Sequence, residues 1–493
     1  MKPKEINLES YFQQFRKNIV GIDKTFTSAY GKMPIVYTDW TASGRLYAPI
    51  EEKIAEDFGP FVANTHTDTS ITGSVMTLAY HEAKKIIKKH VNASDDDIFI
   101  QSGHGMTGAI NKLQRIMGLK IHEKYKNLIQ IDENERPIVF VTHMEHHSNQ
   151  TSWLETVADL EIIPHIDEKN IDYDAFEQLI RKYERRRLKI ASVSACSNVT
   201  GLQPDYHRIA KMIHRVKGFC FVDFACSAPY VKIDMHPKNE NEKLDAIFFS
   251  PHKFLGGPGT SGILIFSKNL YHNRIPDNPG GGTVVWTNPW KEHKYFSDPE
   301  TREDGGTPGF LQAIKTALAI QLKEAMGVEN IQEREHEILN QILPELKKIK
   351  NLHLLADKFT DRLGVISFTI DGLNYHLGVR MLNDKFGIQT RGGCSCAGTY
   401  GHLLLGVDQE KSEKIVKEIE KGDTRNKPGW IRLSIHPTTT DEEVAYIISA
   451  IKELATKHQE WFDDYVYVNH EYIHKTFHPQ DKIKKELKNW FKI

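Results

Sequence analysis

From about residue 90 to 270, apolar positions fall in short runs separated by stretches of helical period. Asp97-Ile98-Phe99-Ile100 reads as a strand, then a glycine-rich turn, then a helix from about Thr107 to Lys120. Further strands are predicted at Pro137 to Val141, Lys189 to Ser194, Phe219 to Val222, Leu244 to Phe249 and Gly262 to Phe266. Helical patterns over Asp172 to Arg187 and Asp205 to Lys217 lie between them, the second stopped by Gly218. Strand runs that are apolar on both faces and alternate with helices imply an α/β domain whose mostly parallel sheet is covered on both sides.

After Pro308 the pattern changes. Leu311, Ile314, Leu318 and Leu322 mark one face of a long helix that Gly327 ends. Strands of period two follow, with Ile366, Phe368 and Ile370 on one face and Ile431, Leu433 and Ile435 on another. This is the pattern of a smaller α+β domain. The expected division is an N-terminal segment over 1–45 packing near the small domain, a large domain over 46–308, a small domain over 309–460 and a tail over 461–493 that caps the small domain. Arg185-Arg186-Arg187 reads as a solvated helix end, where positive charge suits the dipole.

Composition narrows the class. The 493 residues are 40% hydrophobic and 26% charged, a soluble globular profile. Lys and Arg number 64 against 65 Asp and Glu, so nothing calls for a nucleic-acid or membrane-surface partner. No apolar run is long enough to span a bilayer, and Met1 to Glu5 lack the apolar core of a signal peptide. Five cysteines argue against a disulfide framework and for a reducing, cytoplasmic compartment.

Ligands of open parallel sheets bind at the carboxyl ends of the strands, so the polar residues there are read together. Ser102-Gly103-His104-Gly105-Met106-Thr107-Gly108 is a glycine-rich turn into a helix, a candidate phosphate cradle with Thr107 adding a hydroxyl. Thr142-His143-Met144-Glu145-His146-His147-Ser148-Asn149 follows the next strand. Its histidines and Glu145 suit a metal, or one histidine lies flat against an aromatic ligand, or His143 and His147 are hydrogen-bonded loop residues. Cys196-Ser197-Asn198 offers an amide. Asp223, directly after a buried run, needs a partner: a helix N-terminus or a protonated heterocyclic nitrogen. Ser250-Pro251-His252-Lys253 places a lysine between an apolar strand and the glycines of Gly256-Gly257-Pro258-Gly259. A desolvated lysine there is a Schiff-base nucleophile, and Ser250 and His252 suit a phosphate.

The order and spacing of these features resemble the fold type I pyridoxal-phosphate enzymes, in particular the class V aminotransferase superfamily, from about Tyr37 to Ala450. The resemblance implies a seven-stranded, mostly parallel sheet between helices, with a smaller C-terminal α+β domain. It implies pyridoxal phosphate as cofactor, Lys253 as the Schiff-base lysine, Asp223 on the ring nitrogen and His146 stacked on the ring. It also implies phosphate contacts from Thr107, Ser250 and His252, and a ring-oxygen contact from Asn198. Gly305-Gly306-Thr307-Pro308 resembles the family's segment from a neighbouring subunit, so Thr307 and a homodimer are implied. In this chain Met106 stands where the family often has a second threonine, and Cys226 where the desulfurase branch has glutamine.

Two later motifs bear on the reaction. Arg391-Gly392-Gly393-Cys394-Ser395-Cys396-Ala397 is similar to the active-site loop of the cysteine desulfurase and selenocysteine lyase branch, with Cys396 as its cysteine and Arg391 favouring a thiolate. A pair of inert thiols, or half a zinc site with His402, is the other reading of this Cys-x-Cys. Trp430-Ile431-Arg432-Leu433-Ser434 puts Arg432 on the face opposite Ile431 and Leu433. It is similar to the family strand whose arginine binds an amino-acid carboxylate; a surface arginine is the alternative. The implied reaction takes sulfur from L-cysteine through a Cys396 persulfide, releases alanine and passes sulfur on, with a sulfur-acceptor protein as a possible partner. Another class V activity (aminotransferase, epimerase or selenocysteine lyase) and a non-catalytic cofactor-binding protein remain open.

Overall fold

The computed structural model describes residues 7–493; residues 1–6 of the expected N-terminal segment lie outside the described residues. The large domain is built on a seven-stranded sheet of β1 (Asp97–Ser102), β2 (Ile138–Val141), β3 (Asp159–Ile162), β4 (Lys189–Ser194), β5 (Phe219–Asp223), β6 (Ala246–Phe249) and β7 (Gly262–Ser267). Their order is β1-β7-β6-β5-β4-β2-β3. All neighbours are parallel except β7, which runs antiparallel to both β1 and β6.

Alternation along each strand feeds two cores. Phe99, Phe140, Val193, Val222, Ile247 and Ile265 pack on one face. Ile98, Val139, Ile190, Phe221, Phe248 and Leu264 pack on the other. Both faces are covered, so these strands carry few polar residues before their ends.

Several helices are shorter than the periodicity predicts. The first runs Gly105–Ile116, because Gly118 at φ +71° turns the chain away. Asp172 caps a helix over Tyr173–Lys182, and Asp205 caps one over Tyr206–His214, which ends as Lys217 takes φ +57°. Arg186 is past its helix and buried, not solvated. It pairs with Asp159 at 2.7 Å and donates to the Arg136 carbonyl. Phe310–Met326 is the expected long helix, stopped by Gly327 at φ +77°. Its buried positions include Ala313, Ile314, Thr316, Ala317, Ala319 and Ile320, while Leu311, Leu318 and Leu322 are half-buried. Small residues face Tyr80 and Ala83 of the helix Ile71–His90.

The small domain has a four-stranded antiparallel sheet of β8 (Leu352–Leu354), β9 (Val365–Ile370), β10 (Arg391–Gly393) and β11 (Trp430–Ser434), ordered β8-β9-β11-β10. Ile366, Phe368, Ile370, Ile431, Leu433 and Ile435 pack under the helices Val328–Lys347 and Asp441–Trp461. The N-terminal segment serves both domains. Phe12 and Phe15 enter the large core, Val36 enters the small one, and Arg16 pairs with Glu443 at 2.8 Å. After Trp461 the chain forms a hairpin, Tyr465–Val468 with Glu471–His474, then a helix over Gln480–Trp490. Tyr465 is buried in the small-domain core, and Tyr30 donates to Asp464 at 2.5 Å.

Candidate active site

At the end of β1 the chain enters its helix through Gly105, at φ +60°. A left-handed residue there favours glycine. On β7, a β-carbon at Gly262 would fall 1.9 Å from the Gly105 carbonyl, so the sheet itself demands a bare backbone beside this turn. Met106 N–H donates to Ser250 Oγ at 2.8 Å, and Thr107 Oγ1 lies 2.6 Å from Ser148 Oγ. Space is open in front of Gly103. Helix-terminal amides ringed by hydroxyls make an anion cradle.

Beyond β2, His146 caps the helix His147–Leu154, and its Nδ1 accepts from Ser148 N–H at 3.1 Å. Burial, then Lys253, pushes its pKa down to about 3, so the ring is neutral. Glu145 is fully enclosed. It accepts from Thr142 Oγ1 at 2.5 Å, Asn149 Nδ2 at 2.6 Å, Ser194 Oγ at 2.6 Å and Ser194 N–H at 2.9 Å. Those four donors take up the carboxylate that the metal reading of this segment had counted as a ligand. His143 packs against His165 in the core, and burial takes its pKa down to about 4. His147 is a clamp: its N–H donates to the Cys396 carbonyl at 2.7 Å and its Nε2 accepts from Gly398 N–H at 2.9 Å.

Asp223 ends β5 in a buried position with the Ala225 N–H, at 2.8 Å, on its Oδ1. Burial pushes its pKa up to about 7. Lys253 sits in the one-turn helix Pro251–Lys253, and burial lowers its pKa against the opposing pull of Cys226 and Asp223. His252 is lowered to about 4, also by burial. Cys196 and Cys226 both direct their sulfurs at the Ser197 carbonyl, at 3.5 and 3.8 Å.

Arg432 on β11 is buried. Its Nη2 meets Asp39 Oδ1 at 2.8 Å, its Nη1 donates to the Asn198 carbonyl at 3.1 Å, and its Nε has no partner among the described residues. Arg391 meets Asp39 Oδ2 at 2.9 Å. Asp39 thus bridges two guanidiniums. It is delivered by backbone pairing: Ser434 N–H donates to the Thr38 carbonyl at 2.6 Å, and Asp39 bridges to Ser434. The sequence reading missed Asp39, because no period or motif links it to a strand almost 400 positions later. Cys396 is exposed on the loop after β10, at φ +58°. Asn198 Nδ2 donates to the Ser395 carbonyl at 2.6 Å, and its Oδ1 has no partner among the described residues.

One cavity of about 830 Å³ brings together Met106, Thr107, His146, Asn198, Asp223 and Cys226 with Ser250, His252, Lys253, Arg391, Cys396 and Arg432. Thr307 does not line it and lies exposed on a separate loop. The donor set fits a ligand with a phosphate for the cradle, a protonatable ring nitrogen for Asp223 and a carbonyl for the Lys253 amine.

The family model described as Aminotransferase class-V matches residues 36–447. A protein of Halalkalibacterium halodurans named as a probable cysteine desulfurase is 28% identical over 372 residues, covering 74% of this chain and 84% of its own length. A Staphylococcus aureus protein of the same name is 26% identical over 425 residues, covering 85% and 92%. In fold, the apo cysteine desulfurase of Thermococcus onnurineus NA1 superposes with a TM-score of 0.70 at 22% identity, over 90% of this chain and 98% of its own. The Escherichia coli cysteine desulfurase CsdA gives 0.69 at 21% identity, over 91% and 98%.

Proposed function

Because the chain belongs to the class-V aminotransferase family, we propose that it is a pyridoxal-phosphate enzyme that takes sulfur from L-cysteine and releases alanine. The observation that carries the reading is that Cys396, Lys253 and Arg432 open into one cavity. The relatives named as cysteine desulfurases support it.

Thr107, Ser250, His252 and the amides of the Gly105 turn would hold the phosphate, Asp223 the ring nitrogen, His146 the ring face and Lys253 the aldehyde carbon. When bound, the cofactor supplies a sink for the electron pair left at Cα. The protein supplies the rest. Arg432 binds the substrate carboxylate, oriented by Asp39. Lys253, with its pKa lowered by burial, takes the Cα proton and returns one. Neutral His146 adds no positive charge beside the ring. Cys396 attacks the substrate sulfur from the exposed loop; the Cβ–S bond breaks, its electron pair stays with the substrate carbon, which is protonated on the way to alanine, and the sulfur remains on Cys396 as a persulfide. We further propose a homodimer in which the partner copy's Thr307 segment completes the phosphate site, and a cytoplasmic setting, which suits five free thiols.

The test is alanine release from L-cysteine together with mass analysis of Cys396. Wild-type protein forms alanine and a +32 Da Cys396 (roughly one sulfur atom), and Cys396→Ala loses alanine formation by about 10²-fold or more. Undiminished alanine and persulfide formation by Cys396→Ala would sink the reading.

A further inference from the structure

The family match ends at residue 447, yet the mouth of the cavity is finished by the chain beyond it. The tail hairpin turns through Asn469 and His470, at φ +50° and +67°, and His470 lines the cavity. Tyr467 Oη lies 2.8 Å, and His470 Nδ1 3.2 Å, from Thr424 Oγ1. Together they hold the turn that carries Lys427, whose N–H donates to the Thr424 carbonyl at 3.2 Å. Asn374 Nδ2 donates to the Arg425 carbonyl at 3.1 Å, which ties the same turn to the start of the helix Tyr375–Phe386. Tyr375, His376, Thr424, Lys427 and His470 form this side of the mouth.

Charge at the cavity is one-sided. Asp223 is its one acidic lining residue among those described, against Lys253, Arg391, Lys427 and Arg432. Asp39 answers the two arginines from behind, and Asp423 is taken up by Arg425 at 2.7 Å. Lys427 is exposed and has neither an ion pair nor a side-chain hydrogen bond among the described residues. Its field reaches both His147, which clamps the Cys396 loop, and His376, where Glu471 opposes it.

We propose that this rim is a subsite for a carboxylate carried by the small thiol that accepts sulfur from Cys396. The proposal deepens the sulfur-transfer reading above and rests on it. The amino-acid carboxylate is met by buried Arg432, which leaves the exposed Lys427 for an anion arriving later at exposed Cys396. The acceptor thiolate attacks the outer sulfur of the Cys396 persulfide. The S–S bond breaks, Cys396 leaves as a thiolate, and the acceptor departs as a persulfide. No outside oxidant or reductant is consumed.

The experiment reads Cys396 alkylation by iodoacetate against iodoacetamide, with mass analysis at that residue. The iodoacetate-to-iodoacetamide rate ratio is expected to fall about tenfold in Lys427→Ala, to recover in Lys427→Arg, and to fall more steeply with rising salt in wild type than in Lys427→Ala. An unchanged ratio in Lys427→Ala overturns the proposal. This readout needs no turnover, so it is separate from failure of the desulfurase reading, which shows as no alanine with any acceptor. A kinetic arm locates the anion by comparing 3-mercaptopropionate with 2-mercaptoethanol as acceptors. Lys427→Ala is expected to erase the lower KM of the carboxylated thiol. If it raises the KM for L-cysteine instead and leaves the two thiols as they were, the anion belongs to the amino acid and the acceptor subsite is overturned.

Discussion

Asp223 and Asp39 show how much a single carboxylate decides here. Asp223 has its pKa raised to about 7 by burial. Between about pH 4 and 7 it is mostly neutral in the fold while the unfolded chain has ionised it, so its stabilising contribution is full below about pH 4 and is lost as pH rises through about 7. Thermal unfolding of cofactor-stripped protein is expected to weaken on the order of 3 kcal/mol from this group between pH 5 and 8. Asp223→Asn removes most of that slope; equal slopes in the two proteins would contradict the assignment. Asp39 acts through the two arginines it bridges. Losing a charged hydrogen bond costs about 1.5–3 kcal/mol, so Asp39→Ala is expected to raise the KM for L-cysteine roughly ten- to hundredfold, with a smaller change in kcat. Steady-state kinetics check the split, and Asp39→Glu should restore part of it. Strand-end residues such as Asp223 and Lys253 were readable because an apolar run announces where its polar end must be. Asp39 was not, since only the folded small domain brings it to Arg432.

At the scale of elements, Glu145 ties the end of β2 to the end of β4 and to the helix behind His146. Glu145→Ala leaves the buried Thr142 and Ser194 donors without an acceptor and Asn149 Nδ2 with the Ser192 carbonyl alone, and is expected to cost about 3 kcal/mol, read as a fall in thermal midpoint. Gly262→Ala acts differently. Its β-carbon meets the Gly105 carbonyl, so β7 and the cradle helix must part, and weakened phosphate binding is expected alongside lost stability. Titration with pyridoxal phosphate, followed by its absorbance, measures that loss. Helix existence was legible from period, but helix ends were not. Arg186 reads as a surface charge in sequence, yet its partner Asp159 comes from an adjoining strand and draws it inward.

At the scale of the whole molecule, the large-domain strand ends, the small domain and the tail hairpin all contribute lining to the cavity that holds Lys253 and Cys396. Removing residues 475–493 takes away a helix whose Trp490 is 75% exposed, and little change in thermal midpoint is expected. Removing 462–493 also takes Tyr465 from the small-domain core and His470 from the cavity mouth, and a drop of several degrees is expected. The fold class was readable because alternating strands and helices leave few topologies open. The tail's reach to the cavity was not, because a short hairpin of Tyr, Val and Ile announces a strand pair but not the surface it docks on. The antiparallel β7 also sets an order of events during synthesis. Among the described residues β1 pairs with β7 alone, and β7 follows Lys253 in the chain. The ribosome must therefore deliver the lysine turn before the cradle that faces it has a sheet to stand on. A nascent chain arrested before β7 carries the glycines of the turn without the strand that joins β1 to the sheet, and only further elongation fixes that turn beside Lys253.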